Sequence, residues 1–192
     1  LKSITPSLFG AKIGESVVKN IEPTLIAIFL KPELATFFTV TKRTGDMVSQ
    51  SLHIIMGSIF PSLSHLYGEG DRKKAKIIVE KIMNIAILGG IVGFGTYFIS
   101  NGHFIKIWIG EEYFLGNILT LLIALGLFFN LLFSFMSDIL VSYGDIRFAS
   151  YSVLAESIFR LLLLFVFIST LGIYGLTLSL LFSCALFSYL LF

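Results

Sequence analysis

The chain has 192 residues, of which 56% are apolar and 14% charged, with a mean hydropathy of +0.91. An average soluble domain carries about 25% charged residues, whereas here several uncharged stretches reach about 20 residues, enough to cross a hydrocarbon core of about 30 Å. The composition excludes an ordinary soluble globule, and a net charge of +2 is too slight to suggest nucleic acid as a partner.

Six apolar segments follow one another at roughly 8–30, 35–66, 77–100, 115–142, 148–171 and 173–192. Uninterrupted runs such as Ile173 to Phe192 fit helices, because a membrane barrel shows segments of about 10 residues alternating in polarity. The expected class is an all-α integral membrane protein, a six-helix transmembrane bundle without a separate soluble domain. The chain starts at Leu1 without a methionine and stops at Phe192 inside an apolar run, which reads as a fragment of a longer protein. Lys2 is not followed by the short apolar core and small-residue cleavage site of a signal peptide.

The first segment carries Lys12, Glu15, Lys19 and Glu22 at helical spacing, on one stripe opposite an apolar face. The second repeats the arrangement with Lys42, Asp46, Ser49 and His53, flanked by Arg43 and Gln50. A charge facing lipid near the bilayer centre costs roughly 2.5–3.5 kcal/mol, so these faces should meet protein or a water-filled cavity. Lys42 and Arg43 admit two readings, as headgroup anchors or as cavity lining; Asp46 and Gln50 sit deeper and point to a cavity. A cavity with Lys42 and Arg43 suits an anion such as phosphate, while Glu15, Glu22 and Asp46 equally allow a cation or proton site.

In the third segment Gly89 and Gly93 have the spacing that lets helix backbones approach closely, with a hinge as the alternative. Basic residues mark sidedness. Lys2, the run Arg72, Lys73, Lys74 and Lys76 in YGEGDRKKAK, and Arg147 lie on one side, against Lys31 and Lys106 on the other, so the first group is expected to be cytoplasmic. Trp108 and Tyr113 then fall at the far-side headgroups, where amphipathic rings prefer to sit.

Further along, Asn130 is a candidate interhelical hydrogen bonder. Glu156 and Arg160, four residues apart with the acid first, are expected to pair within their helix. Cys184 is the only cysteine, expected as a small buried residue, and no intrachain disulfide is possible. His53, His65 and His103 lack metal-ligand spacing, and no G-x-S-x-G, H-E-x-x-H or P-loop occurs, so no metal, cofactor or catalytic residue is expected.

Four stretches in order, IEPTLIAIFLKPELATFFTVTKR, IFPSLSHLYGEGDRKKA, IKIWIGEEYF and LAESIFRLLLLFVFISTLGIYGLTLS, resemble the C-terminal half of bacterial polysaccharide flippases. These belong to the multidrug, oligosaccharidyl-lipid and polysaccharide exporter superfamily. The resemblance covers nearly the whole chain; Phe60-Pro61-x-Leu63-Ser64 running into Gly68-Glu69-Gly70-Asp71, and Trp108-Ile109-Gly110, carry it best.

The resemblance implies one lobe of a two-lobe transporter in a bacterial inner membrane, with an N-terminal lobe as partner and alternating access to a central cavity. The implied substrate is an undecaprenyl-diphosphate-linked oligosaccharide, a polysaccharide repeat unit, turned from the cytoplasmic to the outer leaflet. Lys42 and Arg43 match the cationic positions thought to hold the diphosphate. On this reading Lys19 assists them, Ser49, Gln50 and His53 contact polar groups, and Glu22 and Asp46 couple transport to a cation or proton. Four alternating charges on the first helix depart from the family's usual single acid near Glu22. A cation-coupled multidrug exporter is the alternative within the superfamily, and a membrane glycan polymerase or ligase the alternative outside it.

Overall fold

The computed structural model describes the backbone from Thr5 to Leu191 and the side chains of residues 13–191 other than Glu15 and Lys19. The fold is all-α, with no strand among the described residues. Among the described residues seven α-helices follow in order: α1 Thr5–Phe29, α2 Pro32–Gly57, α3 Phe60–Gly68, α4 Arg72–Trp108, α5 Asn117–Ser142, α6 Ile146–Leu171 and α7 Ile173–Leu191. A 3-10 turn, Glu111–Tyr113, links α4 to α5.

The expectation of six helices is corrected here, because the second apolar segment folds as two. Pro61 sits in the first turn of α3. A proline there lacks the N–H of a continuing helix, and its ring would clash with the carbonyl four residues back; that residue is Gly57, where α2 ends. The third segment, in contrast, is longer than its apolar core. The basic run Arg72–Lys76 forms the first turns of α4, a helix about 55 Å long. Asp71 caps it, accepting a hydrogen bond from the Lys74 backbone N–H at 3.1 Å.

Six spans are not borne out either. Among the described residues four helices, α4, α5, α6 and α7, are long and apolar enough to cross a membrane, which fits a multi-pass membrane protein. Among the same residues α1 contributes a shorter apolar stretch, Asn20–Phe29, and α2 none.

The two ends of the bundle separate as the basic residues do. At one end Tyr67 stacks on Tyr143, 4.6 Å between ring centroids, joining the α3–α4 junction with Arg72 to the α5–α6 turn that precedes Arg147. At the other, Phe37 packs edge-on against Tyr113, and Leu30 lies beside Gly172 in the α6–α7 turn.

One apolar core runs through the bundle, with Leu25, Phe38, Phe94, Leu127, Leu164 and Leu176 contributed by α1, α2, α4, α5, α6 and α7. A smaller cluster, Leu63, Ala75 and Ile139, seats α3. Among lipid tails, burying apolar side chains drives little helix association, so close backbone approach and polar bonds decide which helices meet. The glycines of α4 act in this way. A Cβ on Gly93 would stand 2.8 Å from Val48 Cγ1 and one on Gly89 3.2 Å from Leu52, so this stripe packs α4 onto α2. Gly90 is as tight against Phe128 of α5, and Gly126 of α5 against Leu180 of α7. Helix α5 thus touches α2, α3, α4, α6 and α7, while α1 wedges between α2 and α6.

Candidate functional site

Two adjoining cavities open inside the ring formed by α1, α2, α5 and α6. The larger, about 520 Å³, reaches from Val18 of α1 past Ser134 and Asp138 of α5 to Val153 and Glu156 of α6. The smaller, about 220 Å³, is lined by Lys42, Arg43, Asp46 and Ser49 of α2, with Leu127 and Leu180 behind. Gln50, His53, Asn130 and Arg160 border both, so the two form one polar cleft.

Helix α2 supplies the cationic wall, and α4 sets its register. The buried Tyr97 hydroxyl and Asn101 amide of α4 both donate to the Thr41 carbonyl, at 2.8 and 3.0 Å. Gly45, one turn on, admits Leu127 and the Tyr97 ring, which would lie 2.7 and 3.2 Å from a Cβ there. With that turn held, the residues after Thr41 on the opposite face are directed into the cleft.

Glu22 is the hub behind that wall. It is buried, immediately before Pro23, the proline inside α1. Its Oε2 accepts from Lys42 Nζ at 2.6 Å, and its Oε1 accepts from Arg160 Nη2. One carboxylate therefore ties α1 to α2 and to α6, and the Lys42 ammonium also lies 5.9 Å from the Phe38 ring. Removing charges from water is costly, and such a group is tolerated when the opposing charges sit in direct contact, as they do here.

The expected pairing of Glu156 with Arg160 is corrected, since no ion pair joins them among the described residues. Arg160 turns to Glu22 across the helix interface. Glu156 Oε1 instead accepts from Ser183 Oγ at 2.8 Å and from Cys184 Sγ at 3.5 Å, which ties α6 to α7. Spacing within one helix left both options open, and away from water the partner that also closes a helix interface wins. Asn130 bonds between helices as expected, its amide donating to Cys184 Sγ at 3.5 Å. Cys184 is buried.

Of the residues singled out from sequence, Lys42, Arg43, Asp46, Ser49, Gln50 and His53 all line the smaller cavity, and Glu22 lies behind it as the partner of Lys42. The side chains of Lys12, Glu15 and Lys19 lie outside the described residues. Arg160, Asn130 and Glu156 belong to the cleft wall but were not expected as site residues. Two charges interrupting the apolar α6 were the available signal, and pairing them with each other concealed it. Two buried polar atoms of the wall, Arg160 Nε and Ser137 Oγ, have no hydrogen-bond partner among the described residues. The arrangement offers cations, carboxylates and hydroxyls to a polar ligand within an apolar bundle, the chemistry of a binding site.

No family model, curated protein or solved structure matches this chain.

Proposed function

We propose that this chain is one transmembrane lobe of a flippase that moves an undecaprenyl-diphosphate-linked oligosaccharide from the cytoplasmic to the outer leaflet of a bacterial inner membrane. The observation that carries the reading is the polar cleft itself: Lys42, Arg43 and Arg160 gathered around a cavity of about 220 Å³ inside a bundle whose other helices are largely apolar. Ionisable groups within a membrane bundle generally line a substrate or ion path. The sequence resemblance to polysaccharide flippases supplies the substrate and the second lobe.

On this reading Arg43 offers a planar fork suited to bidentate phosphate recognition, and Lys42 a mobile point charge. Lys42 is held at rest by Glu22, so an incoming diphosphate competes with that carboxylate for it. Glu22 keeps Arg160 when Lys42 leaves, so no isolated charge is created. The exchange links occupancy of the cleft to the contact between α1 and α2, the type of contact a rocking lobe has to change.

Asp46 in the smaller cavity, with Asp138 and Glu156 in the larger, favours a second reading, a cation-coupled exporter of organic cations. Complementation separates the two. In a strain lacking its own flippase, the full-length protein restores surface polysaccharide, and the Lys42→Ala/Arg43→Ala double variant falls well below a tenth of that restoration, the effect of losing two ionic contacts each worth about tenfold. Normal restoration by the double variant overturns the cationic site. Drug efflux without polysaccharide export establishes the second reading instead.

A further inference from the structure

Away from the cleft, a third cavity of about 520 Å³ lies at the end of the bundle opposite the basic run, between the last turns of α4 and the first turn of α5. Its floor is apolar. Phe98 and Ile99 come from α4, and Phe114 seats its ring against Gly102, 3.1 Å from where a Cβ would stand. Its rim is polar, with His103 and Lys106 of α4, Glu111 of the 3-10 turn and Asn117 of α5.

The rim and the floor lie at different depths. Lys106 stands two residues before Trp108, whose exposed indole lies 5.4 Å from the ring of Phe104 and prefers the headgroup layer. Seven residues of helix, about 10 Å, separate Lys106 from Ile99, more than the roughly 5–8 Å of a headgroup layer. The cavity therefore descends from the headgroups into the hydrocarbon. Below it the stripe of Ile99 continues on α4 through Gly95 to the exposed Ile91, and on α5 the exposed Leu121 and Leu125 follow Asn117 at one-turn spacing. Nothing lies within 4 Å of a Cβ added to Gly95, so this track is recessed between the larger side chains. A polar rim above an apolar track matches a phospholipid rather than a soluble ion.

Charge selects the headgroup. Lys106 Nζ and Glu111 Oε2 lie 2.6 Å apart, both side chains are exposed, and a solvated pair of this kind is weakly held. The rim thus offers one cation and one anion side by side, which suits a zwitterion whose phosphate meets Lys106 and whose ammonium meets Glu111. His103 keeps a ring N–H to donate in either protonation state, and the Asn117 amide donates beside it, both toward phosphate or ester oxygens. An anionic headgroup sets a like charge against Glu111. A quaternary ammonium has no N–H to give the carboxylate, whereas a primary ammonium has three.

We infer that this cavity is a binding site for phosphatidylethanolamine of the surrounding leaflet, with its phosphate on Lys106, its ammonium on Glu111 and an acyl chain along the track between α4 and α5. The inference is independent of the flippase reading and needs only that α4 and α5 cross the membrane.

The test titrates the full-length protein, stripped of lipid in detergent, with dioctanoyl phosphatidylethanolamine, phosphatidylcholine and phosphatidylglycerol, and counts bound lipid by native mass spectrometry. The wild type binds the ethanolamine lipid about fivefold more tightly than either of the others, the scale of one exposed charge pair. Glu111→Gln abolishes that preference, and Lys106→Gln weakens all three lipids about fivefold. Both residues are exposed and remote from the core, so the variants fold. Equal wild-type affinity for the three headgroups, or a preference for phosphatidylglycerol, overturns the site. A preference that survives Glu111→Gln places the ethanolamine lipid elsewhere and overturns it too, as does undiminished binding by Lys106→Gln.

Discussion

Helices α4, α5 and α7 approach one another closely at glycines, whereas α1, α2 and α6 share a cluster of charges. Gly90 and Gly126 bring α4 to α5 and α5 to α7 with neighbouring carbons closer than any added Cβ would tolerate. Glu22, Lys42 and Arg160 join the other three helices with one shared carboxylate. Between the two sets lies the polar cleft. The difference teaches where each kind of contact is useful: close apolar packing fixes a scaffold in lipid, where the hydrophobic effect cannot, while an ion cluster holds helices together and can exchange partners when a charged ligand arrives.

Glu22→Gln should break the charged half most severely. It leaves Lys42 and Arg160 buried without their acid, and losing one partner of a buried pair costs about 3–5 kcal/mol. Unfolding of the protein by detergent titration measures it, and a loss below about 1 kcal/mol would mean that the cluster behaves like a solvated surface pair.

Gly93→Ala probes glycine packing where α4 of the one set meets α2 of the other. Its new Cβ meets Val48 Cγ1 at 2.8 Å, and overpacking of this kind costs about 1–3 kcal/mol. Gly95, two residues on, has nothing within 4 Å of an added Cβ, so Gly95→Ala should stay within about 0.5 kcal/mol of wild type in the same titration. Equal effects at the two positions would remove the packing argument for the stripe.

Tyr97→Phe tests the seam between the halves. It removes one of the two donors on the Thr41 carbonyl and leaves the Asn101 amide, for a loss of about 0.5–1.5 kcal/mol. No loss would show that α4 does not set the register of α2. The smallest effect is at the basic end, where the side-chain hydrogen bond from Lys74, with its backbone N–H, holds the Asp71 carboxyl below its ordinary value. The cap's contribution is therefore complete above the ordinary carboxylate range and is lost as pH falls through the lowered value. Asp71→Asn should make a slight difference to the thermal midpoint near neutrality and none in acid.

The apolar half was the more legible from sequence. Length and long apolar runs marked α4 to α7 as helices, because lipid leaves few other ways to satisfy a backbone, and the Gly89–Gly93 spacing marked a close approach of α4 to a neighbour, which is α2. The break at Gly57–Pro61 was passed over because the apolar pattern continues through it. In the charged half the spacing on α2 placed six residues on the cleft, since one face of a helix is read directly from the sequence. Spacing is silent on partners from other helices: Arg160, 138 residues from Glu22, was assigned to its own helix, and Tyr97 and Asn101 gave no pattern at all.

Arg43 lines the cleft, is solvent-exposed and lies outside the Glu22 cluster, so its replacement separates ligand binding from stability. The most direct measurement is the rate at which the full-length protein, reconstituted in liposomes, flips lipid-linked oligosaccharide, compared between the wild type and the Arg43→Gln variant. The account predicts a fall of at least about tenfold for the variant, the loss of one charge-assisted phosphate contact, with the unfolding midpoint unchanged. An undiminished flipping rate at full stability would contradict it.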